Sequence, residues 1–288
     1  MKVKQRLPLL MALSLSFAIL PTAFIHADEA EELVERAPRP VVPDDLIDDP
    51  HIREQLGVNQ FTAPSIKLIF DDLDKLTPLP ADDLPHEISS RMPLNRTDLA
   101  VEIGFYIADG FMAVQAGQMN KIEDLAKNLS RYGKALGAGE RVNRHAASLL
   151  ESAAKNDVAG LKKELTATQR DVETDLIHLR DVDLAHLISL GGWIRALEVG
   201  ALAVEQKYTP ERAIHLYRAD IADYYQKSID SLDPRISARP DIKAIQEQIQ
   251  ALREMMNIGD GIAPTEADVA EIAKAARVLG LLALERKK

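Results

Sequence analysis

No cysteine occurs anywhere in the chain. That excludes disulfides, thiolate metal sites, cysteine nucleophiles and a lipid-modified N-terminal cysteine. Aromatic residues are sparse at 5%, which argues against a carbohydrate groove built from stacked rings. Positive charge is in deficit: 35 Lys and Arg against 45 Asp and Glu leave a formal net charge of −10. An acidic surface repels phosphate backbones and anionic lipid heads, so nucleic acid and the membrane surface are disfavoured as partners. Alternating β-branched runs are missing too, so the pattern requires no strands. Motifs for a nucleophile elbow (GxSxG), a zincin helix (HExxH) and haem attachment (CxxCH) are absent. The one phosphate-loop-like run, GAGE at 137–140, lacks both a following lysine and a preceding strand. No cofactor is expected.

What is present begins with a distinctive N-terminus. Lys2, Lys4 and Arg6 precede an apolar run from Leu9 to Leu20, Pro21 ends that run, and Ala27 stands just before Asp28. This is the layout of a secretory signal peptide, with an apolar core too short to span comfortably as an anchor. The reading predicts export, cleavage near Asp28 and a soluble product in the bacterial periplasm or outside the cell. Losing Lys2, Lys4 and Arg6 with no acid moves the formal net charge from −10 to −13. A cysteine-free exported chain must rely on its apolar core, and about 260 residues suffice for one.

Residues 28–94 read as an arm. RAPRPVVPDDLIDDP (36–50) combines prolines, which remove backbone donors, with acids that resist burial, so a surface-hugging or flexible segment is expected. Within the arm, Thr62 can cap and Pro64 suits a first turn. Ile66, Ile69, Phe70, Leu73 and Leu76 then fall at helical spacing. A second proline-studded stretch, 77–93, leads to a helical domain at 95–288. There the periodicity predicts helices at 96–116, 120–136, 139–154, 157–206, 210–232, 240–257 and 265–286. Asn120 with Glu123 and Thr265 with Asp268 read as helix starts, as does Thr209-Pro210. Gly137 with Gly139 and Gly259 with Gly261 read as stops. The fold class is therefore all-α, a multi-helix bundle. A short helical-repeat array is the alternative; DLAVEIG (98–104) and DLAHLIS (183–189) both open apolar helices, but the helix lengths after them do not keep register.

The stretch DLAHLISLGGWIRALEVGALA (183–203) is the most apolar run after the N-terminus and holds the only tryptophan, Trp193. Arg195 and Glu198 argue against a membrane crossing, since a central arginine costs roughly 2.5–3.5 kcal/mol. Gly192, Ala196 and Gly200 form a smooth stripe on which another backbone can approach closely. Helix 96–116 is the expected partner through Gly104 and Ala108, and a bend is expected at Gly191-Gly192.

Two constellations could carry chemistry. Glu102, Asp109, Arg195 and Glu198 interrupt the two most apolar helices. If those helices pack together, the charges can meet with Trp193 in a ligand site. DLIH (Asp175, His178) and DLAH (Asp183, His186) each place an acid and a histidine on one helix face, as carboxylate-bridged metal sites do. On a single helix the two pairs would lie about 12 Å and roughly 80° apart, so one ion cannot use both. A polar face with Arg170 and Arg180 as charge partners is the plainer reading.

LGVNQFTAPSIKLIF (56–70) and LISLGGWIRALE (187–198) resemble a loosely known group of exported, all-helical bacterial proteins. The resemblance spans most of 50–257 and implies export and a helical fold. It implies no activity and no site residues. The expected role is a non-catalytic binding or interaction module of the cell envelope, serving an envelope protein or a small ligand. The alternatives are an enzyme or metal carrier with its site between 96–116 and 182–206, and a structural homo-oligomer.

Overall fold

Helix boundaries in the computed structural model follow local chemistry closely. It describes residues 37–46, 64–80, 92–259 and 262–284; the expected signal peptide at 1–27 and its junction at Asp28 lie outside them. Asn95 opens α2 (Arg96–Gln115) by accepting from the Thr97 N–H at 2.8 Å. Asp157 opens α5 (Val158–His178) by accepting from the Gly160 N–H at 2.9 Å. Thr209 caps α7 (Pro210–Ile214), with proline at its first position as expected. Thr265 and Asp268 cap α11 (Glu266–Leu284) reciprocally. Asn120 is no cap: a single 3₁₀ turn, Met119–Lys121, leads into α3 (Ile122–Leu136). Left-handed residues close several helices, α3, α4 and α5 among them. Gly137 follows α3 at φ 94°, while Asn156 follows α4 (Gly139–Ala154) at φ 51° and Arg180 follows α5 at φ 62°.

The third of these corrects the sequence reading. One helix was expected over 157–206, with its bend at Gly191-Gly192. The chain instead breaks at Leu179–Asp181, where Arg180 N–H donates to the Ile177 carbonyl and Asp181 N–H to the Leu176 carbonyl. This paired closure is the Schellman stop, built here on arginine in the place glycine usually takes, at a cost of roughly 1–2 kcal/mol. A new helix, α6 (Val182–Gln206), then runs uninterrupted through both glycines. The helix expected at 210–232 likewise divides into α7 and α8 (Ala219–Asp230), followed by the short α9 (Pro234–Ser237) and by α10 (Pro240–Met256).

α2 and α6 form the centre. Both are buried around nearly their whole circumference, the signature of core helices. α6 is long and apolar enough to cross a membrane, but its whole apolar window is packed inside the protein. The two helices approach so closely that a Cβ on Gly104 would lie 2.0 Å from the Ile188 carbonyl oxygen. One on Gly191 would lie 2.1 Å from that of Val101. The α2–α6 approach was expected, but the glycine facing α2 is Gly191. Gly192 and Gly200 face α1 (Ile66–Leu73), where added Cβ atoms would meet Ile66 Cδ1 at 2.4 Å and Leu73 Cδ2 at 2.7 Å. The helical pitch turns adjacent residues through about 100°, so two neighbouring glycines serve two different partners.

α3, α4 and α5 cover one side of this pair, and α8, α10 and α11 the other. A repeat array joins each unit only to its sequence neighbours. Here α2 and α6, far apart in sequence, make the main contact, and the architecture is an all-α bundle. The expected boundary at 94/95 does not separate packing units. Val42, Leu46, Ile66, Phe70 and Leu76 are fully buried in the same core as α2 and α6. A helix as short as α1 gains stability only by burying its apolar face, so it joins the bundle.

Candidate functional site

The five residues expected to converge between α2 and α6 occupy three separate settings. Arg195, 1% exposed, donates from Nε to Asp109 Oδ1 at 2.6 Å and from Nη1 to Glu198 Oε2 at 2.7 Å. This ion triad bridges α2 and α6 as expected. Burial works against the arginine's charge, but the two carboxylates outweigh it and hold the guanidinium more firmly protonated than usual. Glu198 is raised above the usual carboxylate range because burial outweighs the help of Arg195. α11 closes over the triad, Gly280 lying so near that a Cβ there would be 3.2 Å from Glu198 Oε2. Covered in this way, with 15% of Asp109 and 11% of Glu198 still exposed, the triad braces α2 against α6.

Glu102 sits two turns before Asp109 on α2, about 10 Å along the axis. It is buried and accepts a 2.5 Å hydrogen bond from Tyr132 of α3, whose ring meets Tyr106 edge-on at 5.0 Å. Trp193 stacks on Tyr225 of α8 with ring centroids 4.8 Å apart. The tyrosine-rich YRADIADYYQ run (217–226) thus contributes to the core.

The two acid–histidine pairs lie on different helices, since the break at Leu179–Asp181 separates them. Asp175 is paired with Arg141 at 3.3 Å and His178 is exposed at the end of α5. Asp183 accepts from Arg39 and from the Asp233 N–H at 2.9 Å. His186 is buried, with Nδ1 3.3 Å from the Tyr224 hydroxyl. The charge partners are therefore Arg141 and Arg39, not Arg170 and Arg180, because helix packing sets which cations arrive. Among the described residues no group of three His, Asp or Glu side chains is placed to hold a metal ion.

Beside Tyr225 lies a polar cluster that helical periodicity does not reveal. Gln169 Oε1 accepts from the Ile66 N–H at 3.0 Å, and its amide donates to the Pro64 carbonyl at 3.2 Å and to Glu173 at 2.8 Å. Ser189 Oγ donates to the same carbonyl at 2.7 Å. The network pins the entry of α1 onto α5 and α6. Burial pushes the Glu173 carboxyl up to about 8, which the Gln169 amide only partly offsets.

An open space lies elsewhere, at the end of the bundle where α2 and α6 begin. A cleft of about 590 Å³ is walled by residues 37–39, the first turn of α2, the α5–α6 junction and the α8–α9 connection. Arg39, Arg96, Arg180 and Arg235 line it together with Asp181, Asp183 and Asp233. Arg96 Nη1 reaches Asp181 at 2.8 Å, Arg235 Nη2 reaches Asp233 at 3.0 Å, and Arg39 holds Asp183. Among the described residues, a buried Nη1 of Arg39 has no hydrogen-bond partner. Asp181 directs its carboxylate to Arg96 and leaves the α6 start without a side-chain cap. The N-terminal ends of two long helices therefore add their partial positive charge to the same space.

None of these arginines was a candidate site residue, Arg180 having been read only as a charge partner on a polar helix face. Arg96 carried a signal, since a cation at a helix N-terminus opposes the dipole and needs a nearby acid. The others come together from segments some 200 residues apart, and no local pattern joins them. No protein-family model, curated protein or solved structure matches the chain.

Proposed function

We propose that this chain is a non-catalytic binding protein exported to the bacterial cell envelope, and that it holds a small ligand in the cleft at the N-terminal ends of α2 and α6. The cleft itself carries the reading. Its 590 Å³ lies within the range of about 300–1,000 Å³ usual for small-molecule sites. It is framed by the starts of two core helices, which hold its side chains steady. Its carboxylates are each tied to an arginine, and the Ser231 hydroxyl donates to the Ser228 carbonyl at 2.6 Å, an arrangement suited to holding a ligand rather than activating a nucleophile. Beside Arg195 the space is taken up by the ion triad itself and by α11, so the ligand is placed at the cleft instead. Export rests on the layout of residues 1–27.

Native mass spectrometry of protein purified from the periplasm of its producing cell tests this. A co-purifying small molecule is expected, and Ala37→Trp, at an exposed position on the cleft wall, should reduce its occupancy. Retention unchanged in that variant would place the ligand elsewhere.

A further inference from the structure

The balance of charge in the cleft narrows what it can hold. Among the described residues that line it, three arginines each pair with an aspartate: Arg96 with Asp181, Arg39 with Asp183 and Arg235 with Asp233. Arg180 is the fourth. It is exposed on the cleft wall, and among the described residues its side chain has no ion pair or hydrogen bond. The buried Nη1 of Arg39 is a second donor without a partner among those residues. A space with surplus guanidinium donors and two helix N-termini favours oxyanions, because planar guanidinium forks and backbone dipoles match carboxylate and phosphate oxygens. The contrast with the rest of the molecule is sharp, since the chain as a whole carries a formal net charge of −10.

Arg180 is also placed where stability alone would not put it. It occupies the left-handed position of the Schellman stop, φ 62°, where glycine is the unstrained choice. The backbone there aims the residue out at the junction of α5 and α6, beside the start of α6. An arginine at this strained position, beside a cation-rich cleft, is placed where its side chain can serve a ligand.

Building on the reading of the cleft as a binding site, we infer that its ligand is a small oxyanion-bearing molecule, a carboxylate or a phosphate. Its anionic group is held by Arg180 with Arg39 at the start of α6. Cationic molecules are disfavoured, because each described carboxylate of the wall is already paired with an arginine.

Titration calorimetry with sodium succinate and with inorganic phosphate provides the test, spermidine being the cationic control. Wild-type protein is expected to bind at least one anion, more weakly as salt is raised, and not to bind spermidine. Whichever anion binds identifies the source of the oxyanion. Arg180→Gly should weaken that binding by about tenfold or more, the loss of one charged hydrogen-bonding partner. Its ligand-free melting temperature should match or exceed that of wild type, which separates lost binding from lost folding. Arg180→Gln should weaken binding similarly, and Arg144→Gln, the same charge change on α4 away from the cleft, should leave it unaltered. Wild-type affinity in Arg180→Gly, or no binding of either anion at about 10 mM, would overturn the inference. A neutral or cationic co-purified molecule that Ala37→Trp displaces would also overturn it, while leaving the cleft as the binding site.

Discussion

Arg195 shows how a charge in an apolar helix is accommodated. Its guanidinium bridges Asp109 and Glu198 out of water, and removing it would leave two carboxylates facing each other beneath α11. Breaking a buried ion cluster in this way typically costs about 3–5 kcal/mol. Arg195→Leu is therefore expected to lower unfolding free energy by that amount in a urea titration. A change below about 1 kcal/mol would show that the triad does not brace the bundle. Glu173 tests the other polar network through pH. Its carboxyl holds a proton more tightly in the folded chain, ordinarily near 4.5 but here up to about 8. The folded state thus gains stability below the lower value and loses it as pH rises through the higher one. Glu173→Gln keeps the proton-bearing shape without the charge. It should match wild type at pH 4 and exceed it at pH 9 by on the order of 2 kcal/mol, measured by denaturation at both pH values. Equal pH dependence in the two proteins would remove Glu173 as the cause. The position of Arg195 and Glu198 was legible because charges break an apolar run. Glu173 reads in sequence as one more polar helix residue, since its burial depends on what packs over α5.

At the scale of elements, the paired glycines of α6 separate two contacts. Gly191 admits the α2 backbone and Gly192 admits Ile66 of α1. A leucine at 192 must displace Ile66, and overpacking of this kind costs about 1–3 kcal/mol. Gly192→Leu is expected to destabilise by that amount. Ile66→Ala, harmful alone, should be less harmful in its presence, because the leucine fills the space the isoleucine leaves. Denaturant midpoints of the two single variants and the double variant measure this coupling, expected at about 1–3 kcal/mol. Additivity would mean that the two residues do not touch. Helix breaks were the least legible feature at this scale. The stop at Leu179–Asp181 has no glycine or proline, and periodicity runs straight across it. What ends α5 is the local pairing of Arg180 and Asp181 N–H groups with the last turn, together with the need to redirect α6 into the centre of the bundle.

At the scale of the whole molecule, the described residues of the arm share one core with the bundle. Residues 37–46 reach across to α6 through Arg39 and bury Val42 and Leu46. Proline and acid content pointed to a segment lying on the surface. They could not show that Val42 and Leu46 plug into the core while Val41 stays exposed, because a few hydrophobic side chains among prolines have no periodicity to read. The proposal of export makes its own prediction here. N-terminal sequencing of protein recovered from the periplasm should begin near Asp28. A soluble product retaining Met1 would count against export and, with it, the envelope role.

Composition and periodicity alone were enough for the all-α class, the absence of disulfides and the closeness of α2 and α6. Each depends on residue type and short-range spacing: hydrophobic faces recur every three to four residues, and two smooth apolar helices bury most surface against each other. The partner of each glycine, the covering of the Arg195 triad and the gathering of four arginines around one cleft required the packed chain. Those outcomes depend on the direction in which each helix leaves its cap and on which distant segment arrives beside it. A guanidinium at residue 39 and another at residue 235 become neighbours only after the bundle has closed.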